Sequence, residues 1–469
     1  MVKRVVINPV TRLSGFMELE VWIENHRVVE ARTKGMLFRG FEQMMVGRNP
    51  FDAIYLTQRI CGICSSAHSV ASSTALEAAL QIRPTEQGRY LRDIIHGCEF
   101  LQNHIRHFYQ YSLPDFVKMP EAYPLYQNEQ QDYRLPKRLN DRLVQHYLDS
   151  LPISRNAHTM LAVLGGKAPH NHGIFVGGGT RPATVDKMIQ MKSILAEIQA
   201  FIEEVMIPDA YTIAEYYDEY FTFGRGLGNF LCMGAFANYE ELGTLYVDAG
   251  VYKDGEFAPF DPLGISESIA YSWYAGQESY TPFETIPEPD RNQSAAYSWV
   301  KAPRYEGLPF EVGPLARLWL AGEYRHGISA MDRSIARVLE AKKITEVLTI
   351  LLEHLALDVT GQKVWKLPQQ GEGAGLVETT RGSLGHWLKI EDQKLSFYQI
   401  ITPSAWDFSA RTVENRGTAE QALIGTPIQD PDHPIELGRI IRSFDPCMSC
   451  ATHVYQPHKP PLYQKVQGT

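Results

Sequence analysis

The sequence predicts an α+β fold that is mainly α-helical, with a small antiparallel β region at the N-terminus and a bundle of long central helices around a buried metal site. Three observations support this prediction. Hydrophobic and polar residues alternate near the N-terminus, four long stretches show helical periodicity, and two Cys-x-x-Cys pairs stand near opposite ends of the chain. With 469 residues, of which 44% are hydrophobic, the chain is long enough to bury a substantial core.

The N-terminal region alternates as the strands of a sheet do. The segments VVINPV, MELEVWIEN and RVVEART place side chains of opposite character on the two faces of three short strands. Glu24, Asn25 and His26 lie between the second and third segments and suit a tight turn. We therefore expect an antiparallel meander. Residues 165–182 and much of 250–312 are rich in glycine, proline and aromatic residues, and we expect packed irregular structure there.

Four stretches have helical periodicity. The first follows Cys64, where small residues recur at i, i+3 and i+4 spacing, so we expect a central helix that neighbouring helices approach closely. The second covers residues 88–111 and should run for at least five turns. The third covers residues 184–217 and should bend at Pro208. The fourth covers residues 332–358 and has one aliphatic side that should be buried.

Composition and charge exclude several classes of protein. Lysine and arginine number 45 against 54 aspartates and glutamates, which gives a net charge of −9, and no block of like charge stands out. We therefore expect no nucleic-acid surface. The start, MVKRVVINPVTRLSG, lacks the apolar segment of a signal peptide, and no run of 18 apolar residues follows. We expect neither an export signal nor a membrane span on this chain.

Six cysteines are too few for a disulfide framework in a chain of this size. Cys98 and Cys232 are solitary and are expected to be small buried hydrophobic residues. The other four form two pairs, Cys61 with Cys64 and Cys447 with Cys450. Two such pairs suit a structural zinc site, an iron–sulfur cluster or another reactive metal centre, and redox disulfides or unrelated thiols are further alternatives. Structural zinc sites place their pairs about 15–20 residues apart, so the long separation here favours a reactive centre.

A histidine follows each thiol pair closely. His68 comes four residues after Cys64, which is one turn along the same face of a helix, and His453 comes three residues after Cys450. Each imidazole could ligate a metal or hydrogen-bond a coordinated sulfur. Two histidines at matched positions favour the second role.

These residues form two motifs, RxCGxCxxxH from Arg59 to His68 and DPCxxCxxH from Asp445 to His453, which resemble the N- and C-terminal signatures of nickel–iron hydrogenase large subunits. The segments INPVTRLSG, LFRGFE, GRGLGNFL, TTRGSLGHWL, TPSAW and IGTPIQDP extend the resemblance over essentially the whole chain. The resemblance implies a catalytic subunit that performs H2 ⇌ 2H⁺ + 2e⁻, in the direction of H2 uptake. It also implies a separate small subunit that carries iron–sulfur clusters.

By this resemblance, all four cysteines of the pairs bind nickel, and Cys64 and Cys450 also bridge to iron. In the family the iron carries one carbon monoxide and two cyanides, and Ser404 in TPSAW matches a hydroxyl donor to a cyanide. Cys447 matches the terminal thiolate that accepts the proton from H2. Arg381 matches an arginine held over the open metal position, where Asp445 would pair with it. The family's magnesium ion would bind Glu42 and His453.

Three departures from the family pattern concern proton transfer and the residues above the metals. Ser14 in TRLSG stands where the family has a glutamate that passes protons outward, and it cannot serve as a carboxylate relay. Asn103 replaces an aspartate of the canopy over the metals, and Thr380 replaces the proline before the arginine. The core chemistry should survive these changes, whereas rate, direction and response to oxygen are put in question.

The C-terminal segment VYQPHKPPLYQKVQGT follows His453. In the family a dedicated protease removes such an extension after this histidine, so we expect a catalytic domain over residues 1–453 and an extension over 454–469 that is removed on maturation. Two other functions are open. The chain could be a hydrogen-sensing member of the same family or, more remotely, a cofactor-free structural subunit related to one in complex I.

Overall fold

The computed structural model describes residues 2–121, 131–359 and 363–451. The fold is α+β, as the sequence predicts, but strands are not confined to the N-terminus: the described residues form six small sheets. None of the described helices is both long and apolar enough to span a membrane.

The strands of the described residues are numbered along the chain. They are β1 (Lys3–Ile7), β2 (Met17–Glu24), β3 (Arg27–Gly35), β4 (Ile174–Phe175), β5 (Gly178–Gly179), β6 (Phe230–Cys232), β7 (Gly250–Lys253), β8 (Glu256–Pro259), β9 (Ile265–Ser268), β10 (Tyr274–Ala275), β11 (Ser279–Tyr280), β12 (Glu288–Pro289), β13 (Ala302–Tyr305), β14 (Gln370–Thr379), β15 (Gly382–Glu391) and β16 (Lys394–Ile401). All strand pairs within these sheets are antiparallel.

The α-helices of the described residues are numbered in the same way. They are α1 (Phe41–Met45), α2 (Asp52–Thr57), α3 (Ser65–Ala79), α4 (Glu86–Arg106), α5 (Lys137–Gly165), α6 (Val185–Phe201), α7 (Ile207–Tyr216), α8 (Pro314–Ala321), α9 (Ala330–His354), α10 (Pro403–Phe408), α11 (Thr418–Leu423), α12 (Ile435–Ser443) and α13 (Met448–Ala451).

The N-terminal meander is present as predicted. Strands β1, β2 and β3 pair in that order, and β2 buries alternate residues against the core. The turn between β2 and β3 places Asn25 and His26 in the left-handed region, with φ of 48° and 58°. Asparagine and histidine tolerate this conformation better than most side chains, which explains why this dipeptide reverses the chain.

Helix α3 is central, as its small residues predict, but its close neighbour is a strand rather than a helix. Thirteen of its 15 residues are buried. Strand β14 crosses it with glycines at the contact: a Cβ on Gly373 would lie 2.2 Å from the carbonyl oxygen of Ala75, and one on Gly375 would lie 2.0 Å from that of Ala71. Small residues on the helix and glycines on the strand together allow backbone-to-backbone packing.

The other predicted helices are also present, with differences at their ends. Helix α4 covers most of the second stretch and continues into a π-helical turn at His107–Ser112. Helix α9 begins earlier than expected because Ser329 and Asp332 form a capping box at its start. The sequence predicted a bend of the third stretch at Pro208. In the structure, a π-helical turn at Ile202–Met206, just before this proline, interrupts the stretch. Since proline has no N–H to donate, the hydrogen-bond pattern changes in the turn that precedes it.

Two large elements escape the sequence prediction. Helix α5 has 29 residues and includes Pro152 in its interior. The second element is the sheet β14–β15–β16, whose long strands cover residues 370–401. The bundle predicted around the metal site is therefore only half of the enclosure, because the four cysteines share a hydrophobic cluster with β15 and β16 of this sheet as well as with α3.

A buried ion network joins the helical half to the sheet. The guanidinium of Arg317 on α8 is fully buried and donates to both carboxylate oxygens of Glu340 on α9, at 2.6 and 2.7 Å. It also donates to Glu378 on β14 at 2.6 Å. Tyr246 and His104 complete the contacts of Glu340.

Candidate metal centre

The structure brings the four paired cysteines together from the two ends of the chain. Cys61 follows a 3-10 turn, Cys64 is the N-cap of α3, and the other pair surrounds the start of α13. The Sγ atoms of Cys61 and Cys447 are 3.2 Å apart, those of Cys64 and Cys450 are 3.2 Å apart, and those of Cys447 and Cys450 are 2.8 Å apart. All four sulfurs lie within 4.8 Å of one another, and all four residues are buried and free of disulfides.

Crowding makes the ionisation of these thiols interdependent. Hydrogen bonds from neighbouring thiols, chiefly that of Cys447, lower the pKa of Cys61 well below its ordinary value. The same neighbours, again with Cys447 first, raise the pKa of Cys64 well above its ordinary value. Burial is the largest cause that raises the pKa of Cys450. The cluster therefore favours few negative charges by itself, and full ionisation requires a cation.

Backbone contacts hold the two cysteine loops in place. Arg39 donates to the carbonyl oxygen of Ile60, just before the first pair, at 2.6 Å and also to that of Ser449, within the second pair. The carbonyl oxygen of Ser14 accepts from the N–H of Met448 at 2.7 Å. Gly15 has φ of 89°, and a Cβ there would lie 2.5 Å from the nitrogen of Ser449, so this close approach requires glycine.

Glu99 on α4 holds the start of α3. Its carboxylate accepts from the backbone N–H groups of Ser66 at 2.7 Å and Ala67 at 3.0 Å, which belong to the first turn after Cys64. A carboxylate at this end of a helix satisfies free N–H groups and suits the helix dipole. Burial raises the pKa of Glu99 to about 7 despite these bonds.

Arg381 lies in the turn between β14 and β15 and is buried beside the cysteines. It does pair with Asp445: its Nη2 donates to Oδ1 at 2.9 Å, and its Nε donates to the backbone carbonyl oxygen at 2.8 Å. Asn103 accepts from Arg381 at 2.9 Å and donates to Asp445 at 2.7 Å, so it closes a three-residue ring. Thr380 is also buried, and its Oγ1 lies 3.5 Å from Nη1 of Arg381.

Opposite charges stabilise the ionised forms of this pair. Burial alone would raise the pKa of Asp445, but the neighbouring Arg381 guanidinium holds it well below its usual range. Burial likewise opposes the charge of Arg381, and Asp445 more than compensates, so the pKa of Arg381 is raised. Asp445 itself has φ of 59°, a left-handed conformation that aspartate tolerates better than most residues.

His68 lies on the first turns of α3 and contacts a second histidine. Its Nδ1 is 3.1 Å from Nε2 of His386 on β15, whose Nδ1 is 2.8 Å from the hydroxyl of Tyr398 on β16. That hydroxyl lies 3.1 Å from Oγ of Ser72 on α3. Burial lowers the pKa of His68 to about 4 and that of His386 well below its usual value. Both rings are therefore neutral near pH 7.

A small cavity adjoins the sulfurs. Ser404 on α10 faces it and accepts from the N–H of Cys447 at 2.9 Å, which leaves the proton of the hydroxyl available for another acceptor. The residues that line the cavity are mainly apolar or sulfur-bearing: Cys64, Ala67, His68, Thr379, Arg381, Leu384, Pro403, Ser404, Cys447 and Cys450.

Glu42 lies in a separate buried polar cluster. Its Oε1 accepts from Lys301 at 3.1 Å and from the N–H of Ile400 at 3.1 Å. Lys301 also pairs with Glu267 at 3.0 Å. Within the described residues, the buried oxygens Oε1 of Glu267 and Oε1 of Gln399 have no hydrogen-bond partner. His453, the other predicted magnesium ligand, lies outside the described residues.

Three residues at the centre were not identified from the sequence. Arg39 and Glu99 act on backbone groups, which leave no signature in residue type, and His386 contacts a residue 318 positions away. A weak signal exists for two of them. Arg39 and His386 both fall within segments that resemble the family, LFRGFE and TTRGSLGHWL.

Known proteins match this chain over nearly its whole length. The family model described as nickel-dependent hydrogenase matches residues 39–128, 123–327 and 320–453. The periplasmic [NiFeSe] hydrogenase large subunit of Desulfomicrobium baculatum is 35% identical, with 96% of this chain and 95% of that protein covered. The hydrogenase-2 large chain of Escherichia coli is 31% identical, with 97% and 98% covered.

A solved structure shows the same fold. The Ni-Fe-Se hydrogenase of Desulfovibrio vulgaris Hildenborough in the reduced state superposes with a TM-score of 0.93 at 37% identity. The match covers 97% of this chain and all of that one. The present sequence has sulfur, not selenium, in each residue of its two Cys-x-x-Cys pairs.

Proposed function

Because this chain belongs to the nickel-dependent hydrogenase family and is a hydrogenase large subunit, we propose that it oxidises H2 at a nickel–iron centre and passes the electrons to an iron–sulfur small subunit. The observation that supports the proposal is the meeting of four buried thiol sulfurs from opposite ends of the chain within 4.8 Å. Two solitary cysteines besides the pairs are too few to carry electrons onward within this chain, so a partner must do so.

The donor set fits nickel. Four soft sulfurs stabilise several oxidation states of a transition metal better than hard oxygen ligands do. Cys61, Cys64, Cys447 and Cys450 would hold the ion as thiolates, and its positive charge would complete the ionisation that their crowding opposes. Nickel binding should therefore release protons.

The cavity fits an iron that carries small ligands. Cys64, Cys447 and Cys450 all line it, and by the family resemblance Cys64 and Cys450 would hold the iron as well as the nickel. Carbon monoxide and cyanide need an enclosed space, and six of the ten residues that line this cavity are apolar or sulfur-bearing. The free hydroxyl proton of Ser404 suits a cyanide as its acceptor.

Cys447 and Arg381 have distinct roles in the reaction. When bound, the nickel–iron pair supplies the Lewis acidity and redox change that split H2 into protons and electrons. Cys447 Sγ would accept one of the two protons from H2, since its protonation would leave the sulfurs of Cys64 and Cys450 unchanged. Arg381 is held by Asp445 and Asn103, so it places a fixed positive charge and N–H donors beside the reacting atoms.

We propose magnesium at the Glu42 cluster. Hard oxygens suit this ion, and the unpartnered oxygens of Glu267 and Gln399 provide them beside Glu42. His453 would supply a further ligand from beyond the described residues.

The proposal predicts that nickel content depends on the paired cysteines and not on cysteine in general. Cys447→Ser should lose nickel and H2 oxidation, because a serine oxygen is a hard donor at a soft site. Cys98→Ala is the matched control, since Cys98 is equally buried but lies apart from the cluster. Metal analysis, infrared bands of bound carbon monoxide and cyanide, and H2 uptake would be measured on the complex with its small subunit. Full nickel and normal turnover in Cys447→Ser would contradict the proposal.

We also propose that a maturation protease cleaves after His453 once nickel is bound. Removal of residues 454–469 would then fix in place the segment that carries Cys447 and Cys450, whose sulfurs lie against those of the first pair. Intact-mass measurement on active enzyme should therefore show a chain that ends at His453. A full-length chain with full activity would refute cleavage and leave the metal assignment intact.

A further inference from the structure

A second arginine, Arg106, lies beside the ring formed by Arg381, Asp445 and Asn103. Its Nη2 donates to Oδ1 of Asn103 at 3.0 Å, and the same oxygen accepts from Nη2 of Arg381 at 2.9 Å. The amide nitrogen of Asn103 donates to Asp445 at 2.7 Å. The opposite orientation of this amide would turn its N–H groups toward both cations, so the two arginines together fix Asn103.

The local sequence explains why Arg106 reaches this ring. Asn103 and Arg106 are three residues apart on α4, so they lie on the same face of the helix. Arg106 is the last residue of α4, and the π-helical turn His107–Ser112 follows it. The i→i+5 hydrogen bonding of a π-helical turn brings residues five positions apart close together. Tyr111 accordingly lies against Arg106, whose guanidinium carbon is 5.8 Å from the centre of the tyrosine ring.

The charge of Arg106 has no counter-ion in the part of the chain that the structure describes. Across residues 2–121, 131–359 and 363–451, no carboxylate forms an ion pair with this side chain, and its buried Nε has no hydrogen-bond partner. Burial lowers the pKa of Arg106, yet a guanidinium stays protonated at pH 7. Because Asp445 pairs with Arg381, one positive charge remains unbalanced above the cysteines.

A partly buried charge of this kind is unfavourable unless an anionic group lies nearby. The loaded cysteine cluster would be such a group. Four thiolates carry more negative charge than a divalent nickel ion neutralises, and two cyanides would neutralise a divalent iron. Arg381, which shares an acceptor with Arg106, lines the cavity beside the sulfurs. A positive charge close to this centre favours the state of the metals that holds more electrons.

We propose that Arg106 is a positioning residue that acts on the metal centre through Asn103 and Arg381. It keeps the amide oxygen of Asn103 directed at Arg381, and its charge raises the reduction potential of the centre. The proposal rests on the nickel–iron centre proposed above. A residue that only packed the end of α4 would leave this potential unchanged.

Two variants of Arg106 separate its charge from its shape. Arg106→Gln removes the charge and keeps an amide donor, whereas Arg106→Lys keeps the charge and loses the planar fork. Infrared spectra of the bound carbon monoxide, recorded on the complex at controlled potentials, give the ratio of reduced to oxidised centre. At a fixed potential this ratio should fall about threefold or more in Arg106→Gln. It should stay close to that of the unmodified complex in Arg106→Lys.

Arg142→Gln is the matched control, because it removes a positive charge from the exposed face of α5. This variant should leave the ratio unchanged. An unchanged ratio in Arg106→Gln, or an equal fall in Arg106→Lys, would overturn the role of the charge.

The outcomes separate this inference from the proposed function. Absence of carbon monoxide and cyanide bands in the unmodified complex would overturn the nickel–iron centre itself. Normal bands with an unchanged ratio in Arg106→Gln would overturn the role of Arg106 alone. Should Arg106→Gln fail to load nickel, a crystal structure of the unmodified complex decides the matter. A bound anion or a carboxylate of the small subunit paired with Arg106 would refute the proposal, and the absence of any anionic partner would support it.

Discussion

At the scale of single residues, the centre depends on side chains that have several partners each. Arg381 contacts Asp445 twice and Asn103 once, and these bonds fix its guanidinium plane beside the cysteines. The canopy residue Asn103 keeps the geometry of this ring without adding a second negative charge. An asparagine amide can both donate and accept, which is what its position between a cation and an anion requires.

Arg381→Lys should assemble the metal centre but lose most turnover. Lysine keeps the charge but not the planar fork that bonds two partners at once. We expect at least a tenfold loss of H2 oxidation, about 1.4 kcal/mol of barrier, measured on the purified complex. Infrared spectra and nickel content serve as the control for assembly. Near-normal turnover with an unchanged spectrum would reduce Arg381 to a structural role.

Many residues of this centre could be predicted from the sequence, because metal ligands and their hydrogen-bonding neighbours must be particular residue types. The cysteine pairs, His68 and Asp445 occur in motifs whose spacing suits metal ligands and their neighbours, and the structure places all of them together. Arg39 and Glu99 could not be found in this way because their partners are backbone atoms, which every residue has. Their roles depend on the fold.

At the scale of elements, the contact between α3 and β14 determines where the first thiol pair lies. Cys64 is the N-cap of α3, so any shift of this helix moves a proposed ligand. The prediction of α3 was correct, but the expected neighbour was a helix and the observed one is strand β14. This strand was missed because the glycines of its segment QGEGAG are typical of a loop. Packing against a small-residue helix outweighs that preference. Helix α5 was missed for a similar reason, since Pro152 within it suggests a break.

Gly375→Ala should therefore destabilise both the fold and the metal site. The new Cβ would lie 2.0 Å from the carbonyl oxygen of Ala71, and we expect a loss of roughly 2–3 kcal/mol in the free energy of unfolding. Nickel content should fall with it. Urea unfolding monitored by circular dichroism would measure the first effect, and metal analysis would measure the second.

Gly250→Ala is the matched control for this substitution. Gly250 also lies in a strand, but its nearest neighbour would be 3.5 Å from the added Cβ, an ordinary contact. Its stability should be unchanged or slightly higher. Equal losses in the two variants would show that strand glycines matter here for their flexibility and not for the close approach to α3.

At the scale of the whole molecule, the ion network around Arg317 joins the helical and sheet halves of the enclosure. Burial opposes the charge of Glu340, yet Arg317 lowers its pKa to about 2, from an ordinary value of 4.5. A pKa lowered in the folded state stabilises the protein above pH 4.5, and that contribution is lost as the pH falls from 4.5 to 2. The shift corresponds to on the order of 3 kcal/mol.

Glu340→Gln should remove this pH dependence. At pH 7 the variant should unfold more easily by about 3–5 kcal/mol, because Arg317 keeps a buried charge that has lost a partner. Between pH 4.5 and 2 the difference from the unmodified protein should shrink. Urea unfolding midpoints across this range would measure it, with Glu346→Gln on the exposed face of α9 as the control. A difference that stays constant with pH would contradict the assignment of Glu340.

The distance along the chain between the two thiol pairs has a consequence for biosynthesis. Cys61 and Cys447 are 386 positions apart, so at about 5–20 residues per second the ribosome adds the second pair roughly 20–80 s after the first. During that interval the growing polypeptide offers only the first of the two thiol pairs, and a pair of thiols suits zinc or an oxidant as well as nickel. Correct insertion of nickel must therefore follow translation. Until the second thiol pair has been synthesised, the first pair of the nascent chain must be kept reduced and metal-free.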